Sequence, residues 1–186
     1  MNQLLAFNEE NQSMRLTDLN IEDVEALEAA IDGLSDELAM KVKKLTLSQA
    51  IFLKKLPSNL GKLSGLTDLD ISECHEMTNL TGIENCERLK KLDASHCLSL
   101  KDISQLSELP IEELSLSGDT QLNSLSTLEK IEITLKRLTL DGLSNLRTVN
   151  SLRKLTHLEF LSLQDTGIKS LEGLPPIPNI QFRPRL

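Results

Sequence analysis

The sequence predicts an α/β repeat fold, in which short coils of chain stack into a solenoid with one curved parallel sheet. Pairs of the form Leu-x-Leu, or Leu-x-Ile and Leu-x-Ala in two copies, recur six times at spacings of 24, 23, 22, 24 and 23 residues. The six pairs begin at Leu45, Leu69, Leu92, Leu114, Leu138 and Leu161. With no Trp, no Tyr and four Phe, leucine must fill nearly all of the core. A near-constant period of this length is the main sequence signature of stacked repeats.

Each coil is predicted to contain one strand and one tight turn segment. Within each pair the apolar residues are two apart, which indicates a short strand with one buried face. After each pair the spacing becomes three, as in Met77, Leu80 and Ile83, which suits 3₁₀ or irregular turns. A single coil cannot bury these side chains alone, so the coils must stack.

The segments Leu66–Cys74 and Leu89–Cys97 follow a Leu-x-x-Leu-x-Leu-like-x-x-Cys pattern. This pattern and the 23-residue period resemble the leucine-rich repeats of plant intracellular immune receptors and bacterial effectors. The resemblance implies a right-handed solenoid with a concave parallel sheet and an irregular, 3₁₀-rich convex side. It also implies that the ninth motif position bonds the backbone of neighbouring turns. That column reads Ala50, Cys74, Cys97, Asp119, Leu143 and Thr166, so two apolar members interrupt it.

We expect four regions along the chain. Residues 1–14 are predicted to be flexible, residues 15–41 to form a helical N-terminal cap, 42–174 to form six repeats, and 175–186 to form a Pro-rich C-terminal cap or tail. Apolar residues at spacings of three and four predict one helix over Glu22–Leu38, with Asn20 as its N-cap. An acidic docking helix is the alternative to a cap. Three prolines between 175 and 178 are expected to end regular structure, while Ile177, Ile180 and Phe182 cover the last coil.

Charge and cysteine content narrow the classes of partner. The net charge is −8, and residues 1–38 hold ten acidic side chains against Arg15 alone. We therefore expect no nucleic-acid binding, and no apolar stretch approaches the ~20 residues that span a bilayer.

Three cysteines without disulfide-like spacing indicate a reducing compartment. We predict a monomer without a classical signal peptide, located in the cytoplasm or delivered into a host cytoplasm by a specialised secretion system.

Cofactor and enzyme chemistry are not predicted. Cys74, His75, Cys86, His96 and Cys97 could form a zinc set, but no C-x₂-C spacing is present. The cysteines instead occupy the ninth position and a core position, so we expect them to be buried, reduced and free of metal. A buried thiol is a poor nucleophile, and the sequence has no phosphate-binding glycine loop or nucleophile elbow. We therefore expect no catalytic residues and no bound cofactor.

The predicted function is protein–protein interaction through the concave sheet face. The two positions before each core pair alternate in charge, for example Lys90-Lys91, Glu112-Glu113 and Lys136-Arg137. Opposite charges should meet across neighbouring strands. These contacts could serve only to hold the sheet in register, or they could contribute to a binding surface. Phe160 is the one large aromatic residue predicted on this face, and arginine and aromatic residues dominate interface energetics. The candidate partner-binding residues are Arg137, Phe160, Lys136, Glu159, Glu113 and His96.

Three settings for such a module remain open from the sequence. The first is a small bacterial effector-type protein that acts on a host protein. The second is the recognition domain of a larger immune receptor. The third is a regulatory subunit that steers an enzyme such as a phosphatase. None of them identifies the protein partner.

Overall fold

The computed structural model describes residues 4–17, 23–118, 121–122 and 124–185, and in these residues one sheet of nine strands follows chain order. The strands are β1 (Leu5–Asn8), β2 (Ser13–Leu16), β3 (Lys44–Thr46), β4 (Asp68–Asp70), β5 (Lys91–Asp93), β6 (Glu113–Ser115), β7 (Arg137–Thr139), β8 (Phe160–Thr166) and β9 (Asn179–Pro184). Neighbours from β2 to β9 pair in parallel, and only β1 and β2 are antiparallel. The predicted parallel solenoid is confirmed, with β3 to β8 as its six expected strands.

The core leucines of successive strands are in register. Leu45 pairs with Leu69, Leu69 with Leu92, and the same pairing continues through Leu161. Backbone bonds continue beyond each strand; for example, Leu47 N–H donates to the Asp70 carbonyl at 2.8 Å. The buried side chains form one continuous cluster from Leu5 to Ile168. The apolar spacing therefore places one strand of each coil on a shared hydrophobic core.

The sides opposite the strands contain the predicted tight turns. Four coils have a short 3₁₀ helix, at Leu60–Lys62, Ser104–Leu106, Ser126–Lys130 and Asn150–Leu152. Leu60, Leu106, Leu128 and Leu152, one in each, are buried. Because side chains three residues apart eclipse in a 3₁₀ helix, a period of three points them all at the core.

The N-terminal helical region differs from the prediction, since it contains two short helices where one was expected over Glu22–Leu38. Helix α1 spans Val24–Asp32 and helix α2 spans Asp36–Lys41. Asp23 caps α1 by accepting from Glu25 N–H, and Ser35 caps α2 by accepting from Leu38 N–H at 3.2 Å. Ser35 therefore starts a new helix within the segment whose apolar spacing predicted a single helix. The expected N-cap Asn20 lies outside the described residues.

Helix α1 lies against the first coil of the solenoid. Its Val24, Leu27 and Ile31 side chains are buried. The Glu28 carboxylate accepts hydrogen bonds from both the backbone N–H and the hydroxyl of Ser58, each at 2.7 Å. The polar bonds and the apolar face together fix α1 on the chain that leads into the first 3₁₀ helix.

Both ends of the sheet extend further than predicted. Residues 5–8 and 13–16 form the β1–β2 hairpin, so two strands lie where the sequence analysis placed a flexible segment and the start of the cap. At the other end, residues 179–184 form β9 beside β8 where a Pro-rich tail was expected. Proline is tolerated here because β9 is the edge strand, where a missing N–H breaks no ladder bond on the open side.

Candidate functional site

The outer face of the sheet presents side chains in straight rows across the strands. One row is formed by register partners that precede the buried leucine of each strand from β3 to β8 and Ile180 of β9. It reads Lys44, Asp68, Lys91, Glu113, Arg137, Phe160 and Asn179 from β3 to β9. Because neighbouring strands lie ~4.8 Å apart, each side chain in this row is within reach of the next.

Ion pairs join the middle of this face. Glu112 accepts from Lys90 and from Lys136, each at 2.7 Å, and Lys91 lies 3.1 Å from Glu113. Hydrogen bonds from Lys136 and Lys90 lower the pKa of Glu112 to about 2. The predicted contacts between opposite charges on neighbouring strands are therefore present at β5, β6 and β7. Each of these five side chains therefore has an opposite charge beside it.

Arg137 and Phe160 form a stacked pair at the β7–β8 end of the row. The Arg137 Cζ atom lies 4.5 Å from the centroid of the Phe160 ring. The two residues are register partners, so the sheet itself brings them together. Arg137 is exposed and Phe160 is half-buried. Phe160 is therefore a surface residue of the sheet and not part of the core.

A shallow groove runs across the face beside these rows. It has a volume of about 270 Å³, and its lining extends from Lys44 on β3 to Arg137 and Thr139 on β7. Asp68, Asp70 and Asp93 lie toward its β4–β5 end. These carboxylates therefore lie between Lys44 at the β3 end of the groove and the guanidinium of Arg137 at its β7 end.

His96 belongs to a different column from the other candidate residues. It follows β5 with a φ of 60°, and Gln49, Glu73 and Asp165 adopt the same left-handed conformation in their coils, as do Gly118 and Gly142. The N–H of each column member before Asp165 donates to a carbonyl of the next coil, as from His96 to Ser117 at 2.6 Å. His96 was expected to lie on the strand face, but this turn places it beyond the strand end.

The cysteines have the structural roles that their positions predict. Cys74, Cys86 and Cys97 are all buried and free of disulfides. The thiols of Cys74 and Cys97 donate to the carbonyls of Leu47 and Ile71 in the preceding coil, at 3.3 and 3.1 Å. Burial raises the pKa of the Cys74 and Cys86 thiols to about 12. Both thiols are therefore protonated at neutral pH and unsuited to nucleophilic attack.

The rest of the ninth column is mixed, as predicted. The buried Thr166 hydroxyl donates to the Leu163 carbonyl at 3.2 Å, which is a bond within its own coil. Ala50 and Leu143 are buried without a polar side chain, and Asp119 lies outside the described residues. Within the described part of the chain, no three His, Cys, Asp or Glu side chains cluster in a way that could hold a metal ion.

The structure brings four of the six candidate residues together on β7 and β8 and the residues just before them. Lys136 and Arg137 lie beside Glu159 and Phe160, and Glu113 lies one strand away in register with Arg137. His96 is separated from this group by its position beyond β5. The candidate site is therefore centred on the stacked Arg137–Phe160 pair.

Sequence reasoning missed the extension of this face by β9. Asn179 pairs with Phe160 in register, and the Gln181 amide oxygen accepts from the Gln164 side chain at 2.9 Å. Period-two spacing of Ile180 and Phe182 was the available signal. The nearby prolines outweighed that signal in the prediction of an irregular tail.

Known proteins share these repeats. Over 130 residues the chain is 34% identical to the disease resistance protein RPS6 of Arabidopsis thaliana, which covers 69% of this chain and 11% of that protein. Over 97 residues it is 35% identical to a putative adenylate cyclase regulatory protein of Trypanosoma equiperdum, which covers 51% of this chain and 15% of that protein. The chain thus spans a small part of each relative's length. No family model matches the chain.

Solved structures show the same fold. Internalin C2 of Listeria monocytogenes has a TM-score of 0.58 at 19% identity, over 87% of this chain and 93% of that chain. TLR13, solved in complex with ssRNA13, has a TM-score of 0.56 at 24% identity, over 83% of this chain and 24% of that chain. The chain is therefore a leucine-rich-repeat protein, as the pattern over residues 42–174 predicts. Among the described residues, the helices are too short and too polar to cross a bilayer.

Proposed function

We propose that this solenoid binds a protein partner through the outer sheet face, with Arg137 and Phe160 at the centre of the contact. The observation that carries the proposal is the stacked pair itself, an exposed guanidinium 4.5 Å from a half-buried aromatic ring. Arginine and aromatic residues account for much of the binding energy at protein interfaces. The pair lies on a sheet whose register is set by the buried leucines on either side.

The surroundings of the pair support binding in two ways. Ion pairs already engage Lys90, Lys136 and Glu112, so these charges contribute little net attraction to a partner. The strands are held by core packing and by ladder bonds between coils, so little ordering cost is added on binding. Acidic side chains alternate with the basic ones along the row, and this disfavours a nucleic-acid backbone.

We place this interaction inside a cell, with the chain acting as a small bacterial effector-type protein, either resident in the cytoplasm or delivered into a host cytoplasm. The three cysteines are buried and form no disulfide, which fits a reducing compartment. Two other settings are each favoured by one relative. The match to RPS6 favours a recognition module within a longer immune receptor, and the match to the Trypanosoma equiperdum protein favours a subunit that regulates an enzyme.

A quantitative capture experiment tests the binding face. The whole chain and a variant with Arg137→Glu and Phe160→Ala are immobilised, and recovered proteins are compared by mass spectrometry. The control variant carries Lys130→Glu and Ile133→Ala; Ile133 is 73% exposed and both residues lie away from the sheet face, on the 3₁₀ side of the same region. A partner retained by the control and reduced about tenfold by the sheet variant supports the proposal.

Equal recovery by all three proteins would place the contact elsewhere and overturn the proposed face. Recovery of nucleic acid in place of a protein would overturn the class of partner. Thermal unfolding of each variant is measured beside the capture, so that a loss of folding is not read as a loss of contact.

A further inference from the structure

We infer that the Arg137–Phe160 pair binds a carboxylate side chain of the partner, with an apolar side chain of the same segment against the Phe160 ring. This inference rests on the proposed function and names the chemistry of its partner. It commits the site to an acidic segment of protein, although the chain as a whole is itself acidic at −8.

The first step is that the Arg137 guanidinium is available. Arg137 is exposed, and it takes no part in the ion pairs found among the described residues. Its register neighbour on β6, Glu113, is engaged by Lys91 at 3.1 Å. Nearby Lys136 is already held by Glu112. Arg137 is therefore the basic side chain of this region whose positive charge is least offset by neighbouring acidic side chains.

The second step is that the ring orients the guanidinium. With Cζ 4.5 Å from the centroid, the Phe160 ring covers one side of the cation, and Arg137 is still exposed to solvent. Arginine N–H groups in this fork-like arrangement match the two oxygens of a carboxylate. The half-buried Phe160 also offers an apolar contact beside the carboxylate.

The third step separates a carboxylate from a phosphate group. A phosphorylated side chain carries nearly two negative charges and is usually held by a cluster of arginines. Here a single guanidinium lies beside Glu113, its register partner on β6, and near Glu159, the residue just before its β8 partner Phe160. These two acids repel a doubly charged group more strongly than a singly charged one, so a carboxylate is favoured.

The fourth step gives the segment a direction. Asp93 on β5 and Asp68 and Asp70 on β4 line the groove, two and three strands from Arg137, which is about 10 Å and 14 Å at ~4.8 Å per strand. An acidic side chain is repelled over β4 and β5 and attracted at the Arg137 end. The acidic residue of a segment lying across the strands should therefore sit over β7 and β8.

The test selects peptides from a phage-displayed library of random dodecapeptides against the whole chain. Enriched peptides are expected to share an Asp or Glu beside an apolar residue. In titrations with the best synthetic peptide, Arg137→Lys should weaken binding about tenfold, because lysine retains the charge but not the planar fork. The Lys130→Glu and Ile133→Ala control should bind like the parent. Replacing the acidic residue of the peptide by Gln or Asn should weaken binding at least as much as Arg137→Lys, because it removes the negative charge itself.

The remaining outcomes distinguish this inference from the proposed function. Peptides that lack an acidic residue but are lost in the Arg137→Glu and Phe160→Ala variant would overturn the inference and leave the proposed face standing. Tighter binding of a peptide with phosphoserine at the acidic position would also overturn it, in favour of a phosphate group. Peptides that bind the Arg137→Glu and Phe160→Ala variant as well as they bind the parent would overturn both the inference and the proposed function. A library from which no peptide is enriched would overturn the inference.

Discussion

The left-handed column after the strands permits a direct test of how the coils are held together. Gly118 and Gly142 occupy this column with the same φ of 76°, but their surroundings differ. A Cβ on Gly118 would lie 2.5 Å from His96 Nδ1, whereas a Cβ on Gly142 would meet no atom closer than 3.5 Å. The two Gly→Ala variants therefore share the backbone cost and differ in one steric contact.

The magnitude follows from these two terms. A side chain in the left-handed region costs roughly 1–2 kcal/mol, and the reduced freedom of the unfolded chain returns about 0.4–1 kcal/mol. We expect Gly142→Ala to lower the free energy of unfolding by about 1 kcal/mol. Gly118→Ala must also displace the exposed His96 ring, at roughly 0.5–1.5 kcal/mol for a strained rotamer, so its total is about 2 kcal/mol.

The assay is urea denaturation followed by circular dichroism. At roughly 2–4 °C per kcal/mol for a chain of this size, thermal melts should show the same order. The steric term is isolated by repeating Gly118→Ala in a His96→Ala background, where its cost should fall to that of Gly142→Ala. Equal costs for the two glycines in the parent, or no rescue by His96→Ala, would refute the steric reasoning.

Three further predictions address the cap, the thiols and the ion-pair network. Leu27→Asp places a charge at a fully buried position of α1, so we expect denaturation experiments to show that the free energy of unfolding falls by several kcal/mol. Ala26→Asp, on the exposed face, should change stability little. Similar melts for both variants would show that α1 is not a cap. Cys74, with its pKa raised to about 12 by burial, should react with a thiol reagent at pH 8 only as urea unfolds the chain, and rapid labelling of the native protein would contradict the burial. The pKa of Glu112 is lowered to about 2 in the folded state. Its contribution to stability should therefore be complete above the unfolded pKa of ~4.3 and be lost as the pH falls toward 2. The difference in stability between the parent and Glu112→Gln should shrink over that pH range, and a constant difference would contradict the linkage.

The sequence by itself determined the solenoid, the number of its central strands and their register. This was possible because each coil repeats the same local rule: leucines two apart, then apolar residues three apart. Leu45, Leu69 and their counterparts must share one buried row, and shifting any strand by one residue would expose its leucine. The charge contacts across strands, such as Lys91 with Glu113, followed from this register without further information.

The ends of the molecule and the geometry of the candidate site were decided only by tertiary structure. Ser35 breaks the predicted helix, and β9 forms despite its prolines, because packing against the adjacent coil outweighs the local signals there. The sequence places Arg137 and Phe160 on adjacent strands but does not give the 4.5 Å stacking, and it does not show that His96 turns away at a φ of 60°. Periodicity encodes which face a residue occupies, whereas side-chain contacts and left-handed turns depend on atoms contributed by the neighbouring coil.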